Sequence, residues 1–232
     1  MISTPNRSTG LRLVFGFWFL ISTPVFAATV VYDYTVGTAV PDGSIVGWSD
    51  TRAVSGLTGV IQAVEVSLNI TGGYNGDLFA QLVHDSGYSV LLNRVGRRAG
   101  DGTGYADGGL NVVLADDHTS SGDIHTYRRV LFGNDTTSLG GPLSGRWSTD
   151  ARTTDPALVI DTDSRTASLA DFIGLDPNGN WTLFVADMDS GGQSTMQSWG
   201  LTLITAAVPE SRTATLFFVS LSAVLLRRRR HS

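Results

Sequence analysis

Two runs near the C-terminal end constrain the fold more than anything else in the chain: Trp181-Thr182-Leu183-Phe184-Val185-Ala186-Asp187 and Ser198-Trp199-Gly200-Leu201-Thr202-Leu203. Trp199, Leu201 and Leu203 alternate with Gly200 and Thr202. Trp181, Leu183 and Val185 alternate with Thr182 and Ala186, with Phe184 blurring the pattern. Successive side chains on a strand point to opposite faces, so this period-two pattern puts both indoles on a buried sheet face. The segment between the runs, Met188 to Gln197, is rich in Ser, Gly and Asp and reads as a solvated loop. A buried strand pair with two tryptophans is a packing device. It speaks to fold and names no ligand.

The rest of the chain follows the same grammar. Val30 to Val36 reads as a leading strand, followed by a Gly/Pro/Asp turn region. Over residues 56–70, Val60, Val64, Val66, Leu68 and Ile70 share one face with Gln62, and Ala63, Glu65, Ser67 and Asn69 take the other. Leu78 to Val83 and Ser89 to Val95 form a hairpin around Asp85-Ser86-Gly87-Tyr88. Leu110 to Leu114 is a further strand, Leu158 to Ile160 a short one, and Ser168 caps a helical turn reaching Ile173. Residues 116–156 are poor in apolar runs and read as long surface connections. Short strands, frequent turns and no long amphipathic helix predict an all-β chain, an antiparallel sandwich.

Several ordered stretches resemble the P domain (P/Homo B domain) of subtilisin-like proprotein convertases. The run "VIQAVEVSLNITGGYNGDLFAQLVHDSGYSVLLNRVG", with its Gly76-Asp77-Leu78 step, is similar to the beginning of that domain. "GPLSGRWSTDAR" supplies a Gly-x-Trp step, and "NGNWTLFVADMDSGGQSTMQSWGLTL" is similar to the end. The resemblance covers residues 50–205 and implies a jelly-roll-like β-sandwich. It does not imply proteolysis, because in that family the P domain accompanies the enzyme. It makes a separate subtilisin-like serine endopeptidase a candidate partner, docked in trans.

Both ends read as processing segments. Residues 1–27 have a basic start (Arg7, Arg12), an apolar stretch from Leu13 to Ile21 and Val25-Phe26-Ala27 before cleavage, as in a secretory signal peptide. An N-terminal anchor is the alternative, with an apolar run well short of the ~20 residues a span needs. Residues 28–49 then form a leading strand and linker, 50–205 the sandwich, and 206–232 the tail. In the tail, Val208-Pro209-Glu210-Ser211 precedes an apolar Ala214 to Leu226 and the cluster Arg227 to Arg230. This resembles a PEP-CTERM sorting signal, with Ser211 in place of the second proline. The resemblance implies export across the inner membrane of a Gram-negative bacterium, transient membrane anchoring through residues 214–226, and delivery to the cell envelope, outer surface or matrix. An ordinary tail anchor is the alternative.

Between residues 28 and 207 stand 20 acidic residues and 9 arginines, a net charge of −11 that the whole-chain value of −5 hides. Such a body repels nucleic acid and suits cations. The chain has no cysteine, so an exported domain of this kind relies on core burial instead of disulfides.

The sequence offers little for catalysis. His84, His118 and His125 are the body's histidines, no Gly-x-Ser-x-Gly elbow occurs, and no catalytic residue is assigned. His84 reads as a half-exposed turn residue. Zinc lacks a ligand pattern: His118 and His125 merely flank Asp123 in a Ser/Gly loop. Calcium, which takes six to eight oxygens from bent loops, is the one metal the composition favours, with Asp77, Asp101, Asp107 and Asp187 as candidate ligands. Plain turn chemistry is the competing explanation for every Asp-rich loop, including Asp176 to Asn180 with its half-EF-hand spacing. No cofactor is required. Tyr74, Tyr88, Tyr105 and Trp147 fall on or near loops and form a candidate sugar platform, with core packing as the alternative for Trp147. The partners that emerge are extracellular polysaccharide, envelope proteins or a subtilisin-like protease.

Overall fold

Alternation in the strongest apolar run is realised as one long strand, Val60–Gly72, but with its parity changed at the start. Ile61, Val64, Val66, Leu68 and Ile70 are buried, whereas Val60 is 41% exposed. A bulge between Ile61 and Ala63 accounts for this: one extra residue flips the face, so Ile61 rather than Val60 joins the core. The computed structural model describes residues 27–206. The leader expected over 1–27 and the tail expected over 206–232 lie outside the described residues, apart from Ala27 and Ala206. Among the described residues no helix is long and apolar enough to cross a membrane.

Among the described residues nine strands build two sheets. In chain order they are β1 (Ala27–Ala39), β2 (Ser44–Val54), β3 (Val60–Gly72), β4 (Leu78–His84), β5 (Gly87–Asn93), β6 (Leu110–Leu114), β7 (Leu143–Trp147), β8 (Gly179–Asp187) and β9 (Ser194–Ala206). The five-stranded sheet has the order β1-β9-β3-β6-β7 and the four-stranded sheet β2-β8-β4-β5. They pack as a sandwich. The stretch read as leading strand and linker thus supplies an edge strand to each sheet, and β2 is a strand the sequence reading lacked. The pairing is antiparallel except between β6 and β7, which run parallel. A parallel neighbour needs a long crossover, and residues 115–142 supply it, including a 3-10 turn at Ile124–Thr126 and the short helix α1 (Tyr127–Phe132).

The two tryptophan strands do not pair with each other. β8 lies between β2 and β4 in one sheet, and β9 between β1 and β3 in the other. The polar segment after Asp187 carries the chain across from sheet to sheet. Trp181 and Trp199 are both buried, as period two required. Each indole N–H keeps an acceptor: Trp181 donates to the Pro177 carbonyl at 3.1 Å and Trp199 to Asp50 Oδ2 at 2.9 Å. Trp181 also stacks on the His84 ring at 4.0 Å between centroids and packs against Phe172 at 5.1 Å.

Two further expectations change. Leu158 to Ile160 is not a strand. The amides of Leu158 and Val159 bond to the Asp155 carbonyl, and this turn leaves Leu158 71% exposed while burying Val159. Residues 116–156 are not mere surface connections either, because Ile124, His125, Tyr127, Arg128, Trp147, Thr149 and Asp150 are buried there. The capped turn at Ser168 forms as read: its hydroxyl accepts the Ala170 amide at 3.2 Å ahead of a 3-10 turn at Leu169–Phe172.

Removing the Trp181 indole leaves a large cavity between the sheets, so Trp181→Ala is expected to cost about 3–5 kcal/mol in urea unfolding. Ile45→Ala, at a position 75% exposed, should change stability by less than about 0.5 kcal/mol.

Candidate functional site

The two buried histidines have both ring nitrogens engaged by protein groups. His84 is 2% exposed, not half-exposed, and its Nδ1 and Nε2 lie 3.0 and 2.7 Å from the carbonyl oxygens of Asn180 and Asp176. His125 is fully buried, with Nδ1 2.7 Å from Asp150 Oδ2 and Nε2 2.8 Å from the Arg97 carbonyl. With acceptors at both nitrogens, the His125 ring can donate to both at once only in its charged form. Burial opposes that charge, but the Asp150 carboxylate and the carbonyl outweigh it and hold the His125 pKa above its ordinary 6.5. This is a His–Asp pair with no lone pair facing a substrate, so it lacks the geometry of a general base. His118 is exposed on the turn after Asp117.

The four aspartates named as calcium ligands fall into three places. Asp101 closes an exposed turn: it accepts the Thr103 amide and hydroxyl at 3.2 and 2.9 Å and pairs with Arg98 at 2.7 Å. Asp107 is buried beneath α1. Its carboxylate takes both arms of Arg128 at 2.7 and 2.8 Å, the Tyr127 hydroxyl at 2.6 Å and the Leu139 amide at 2.8 Å. Burial works against ionisation there, and these donors more than offset it, so the Asp107 pKa is lowered. An oxygen pair this fully engaged has no capacity left for a metal. Asp176 in the half-EF-hand stretch likewise accepts from Asn178, whose amide pins Leu57. Among the described residues no three His, Asp or Glu side chains converge as a finished metal-ligand group.

Asp77 and Asp187 do come together. Asp77 ends the 3-10 turn Asn75–Asp77 that leads into β4, and Asp187 ends β8, directly opposite Leu78 in the ladder. The Met188 amide donates to the Asp77 carbonyl at 2.8 Å. Gly76 lets the 103–105 loop lie against this turn: a Cβ there would stand 2.6 Å from the Tyr105 amide nitrogen and 2.7 Å from the Thr103 carbonyl oxygen. Arg94 reaches in from beyond β5, donating from Nε to the Gly76 carbonyl at 2.7 Å and from Nη2 to Asp77 and Asp189 at 3.3 and 3.4 Å. Its backbone sits at φ +51°, a left-handed conformation that costs an arginine about 1–2 kcal/mol and that these bonds hold in place. Asp42, on the turn between β1 and β2, accepts the Gly191 amide at 3.3 Å and so flanks the same corner.

This corner bounds a cavity of about 250 Å³ lined by Tyr74, Asp77, Thr103, Tyr105, Asp189 and Ser190 among others. Two carboxylates, Asp77 and Asp189, pair with the Arg94 guanidinium, and Asp187 and Asp42 lie near enough to act on Asp77. Burial, and then the charges of Asp187, Asp189 and Asp42 set against that of Arg94, push the Asp77 carboxyl up to about 6. Burial also raises Asp187, with Asp42 adding to it. The Ser194 hydroxyl and the Asp189 amide lie close enough to offset part of this, yet neither closes a hydrogen bond with Asp187. Sequence reading found Asp77 and Asp187 but missed Asp42, Arg94 and Ser194. The Gly/Pro turn after β1 was the available signal for Asp42, whereas Ser194 fell within the stretch read as loop and instead opens β9. Of the aromatic platform, Tyr105 and Trp147 are buried, Tyr88 is half-buried, and Tyr74 alone is 42% exposed.

No protein-family model and no curated protein sequence matches the chain. Among solved structures it is similar to the serine protease of Aeromonas sobria. In the complex with its chaperone, identity is 16% and the TM-score 0.43, over 80% of this chain and 28% of that one. For the protease alone the figures are 16% and 0.42, over 79% and 27%. The chain spans less than a third of those structures' length, and a likeness at this level says nothing about activity or partners.

Two outcomes follow from the buried pairs. Arg128→Ala strands the Asp107 carboxylate and is expected to destabilise the chain by about 3–5 kcal/mol in chemical denaturation. His125 is protonated more readily folded than unfolded, so its contribution is complete below pH 6.5 and is lost as pH rises through the higher folded value. The stability difference between the wild type and His125→Gln should therefore shrink between pH 6.5 and alkaline pH. A difference that grows across that window contradicts a charged His125.

Proposed function

We propose that the protein is a non-catalytic, P-domain-like β-sandwich exported to the envelope of a Gram-negative bacterium, where it acts as a binding or structural module. One observation carries the non-catalytic part: both nitrogens of each buried histidine are engaged by protein acceptors. The working face is the loop end formed by residues 40–43, 72–77, 97–106 and 188–193. It lies at the opposite end of the sheets from Ala27 and Ala206, which are ladder partners. A tail that held the chain at a membrane would leave these loops pointing outward.

A second reading, an accessory to proteolysis that docks on a separate subtilisin-like protease, is favoured by one feature. The Gly-Asp-Leu step and the Trp-x-Leu-x-Val-x-Asp run, which carry the resemblance, meet in the fold where Leu78 faces Asp187.

Co-sedimentation of the purified full chain with envelope material separates the readings. Retention by envelope polysaccharide stripped of protein is expected. Retention only while the protein fraction is intact, with a subtilisin-like protease recovered, supports the second reading. Retention by neither removes the binding role. Peptide hydrolysis by the purified chain that disappears in His125→Gln overturns both.

A further inference from the structure

We infer that the open side of the sandwich, between the edge strands β1 and β2, is a binding site for a neutral polysaccharide, with Tyr32, Asp50 and Arg52 as its main contacts. The inference rests on the binding-module reading above and says where, and to which chemistry, that module binds. Neither strand has a neighbour beyond it: β1 closes the five-stranded sheet and β2 the four-stranded one. The turn at residues 40–43 joins them, so this side opens onto the loop end. Tyr32 and Tyr34 line the β1 wall, and Trp48, Asp50 and Arg52 the β2 wall. The three aromatic rings pack against the core and stay half-buried. Tyr32 and Tyr34 stand nearly parallel, with 9° between their planes and 6.5 Å between centroids. Side chains two apart on a strand share a face, so the pair forms a row of rings along the edge. An aromatic face is negative and accepts the weakly positive C–H bonds of a sugar ring. This row replaces the platform read from the sequence, of which Tyr105 and Trp147 are buried.

The polar groups on this side are held in place yet lack partners. In the interior the aromatic donors are paired: the Trp147, Trp181 and Trp199 N–H groups and the Tyr105 and Tyr127 hydroxyls each have an acceptor. The hydroxyls of Tyr32 and Tyr34 and the Trp48 N–H have no protein partner among the described residues, and none is shut off from water. Arg52 is fixed at two points. Its Nε donates to Asp50 Oδ2 at 2.8 Å, and its guanidinium lies over the Tyr34 ring, 4.7 Å from the centroid. Among the described residues it is the one arginine whose two terminal amino groups both lack a protein acceptor, and its side chain is 39% exposed. Asp50 Oδ2 takes both Arg52 and the Trp199 indole, which leaves Oδ1 as an acceptor. A fixed fork of donors beside an open acceptor matches neighbouring sugar hydroxyls, each of which donates and accepts. Because the guanidinium is already held, little side-chain freedom is lost on binding. Charge decides between a neutral and an acidic polymer. Asp50 neutralises Arg52 locally, and the body carries 20 acidic residues against 9 arginines, so a uronate-bearing chain is repelled.

Affinity electrophoresis of the full chain through envelope polysaccharide stripped of protein, divided on an anion exchanger into a neutral and an acidic fraction, tests it. The neutral fraction is expected to retard the chain. Tyr32→Ala should weaken that retention at least tenfold and Arg52→Gln severalfold, while Leu158→Ala, at a position 71% exposed away from this side, leaves it unchanged. Cooperative melting shows that each variant is folded. If Tyr32→Ala does not fold, Arg52→Gln, at a partly exposed side chain, gives the readout. Retention by the neutral fraction that is the same in wild type, Tyr32→Ala and Arg52→Gln overturns the inference and leaves the binding-module reading standing. Retention by the acidic fraction alone does the same. Retention by neither fraction removes that reading and the inference with it.

Discussion

Everything in this fold depends on burying two indoles from strands that sit in different sheets. β8 and β9 are each an interior strand, flanked on both sides, and their buried faces carry Trp181, Leu183 and Val185 on one and Trp199, Leu201 and Leu203 on the other. Large aromatics supply much of a core's apolar area and also hold its layers at a fixed spacing. The Trp181 N–H is tied to the turn ahead of its own strand and the Trp199 N–H to Asp50 on β2 of the other sheet, so the tryptophans fix orientation as well as separation. In a chain with no cysteine to staple it, this apolar contact is the main source of cohesion.

The same crossover creates the polar corner. A chain that leaves one sheet at Asp187 and enters the other at Ser194 must turn sharply over the sandwich edge. The residues at the two strand ends are then buried by position rather than by chemistry. Other buried carboxylates have cationic partners: Asp107 pairs with Arg128, and Asp150 with His125 and Arg152. Against that background Asp187 stands apart, because its carboxylate is as deeply buried and has no partner.

Period-two alternation made the central strands legible in the sequence, and the Asp85-Ser86 turn made the β4–β5 hairpin legible. β2 escaped because its inward positions include Asp50 and Arg52, which pair with each other at 2.8 Å while Asp50 accepts Trp199 and Arg52 covers Tyr34. A strand whose half-buried face is charged shows no hydrophobic period. The buried part of residues 116–156 was hidden for the same reason, since its interior is built from salt bridges as much as from apolar side chains. The site was legible by half: Asp77 and Asp187 lie in recognisable turns, but nothing in the sequence reveals that Asp42, 145 positions before Asp187, folds onto the same corner. Nor could it separate Asp187 from Asp107, because only the fold shows which carboxylate has its donors.

Amide hydrogen exchange of the full chain tests the central claim most directly. If β8 and β9 are the interior strands that hold the two sheets together, their amides from Thr182 to Ala186 and from Trp199 to Leu203 exchange slowest of all, by global unfolding, while the crossover at residues 189–192 exchanges fast. Amides in β8 and β9 that exchange as readily as those along the edge strands β1 and β2 would contradict the account.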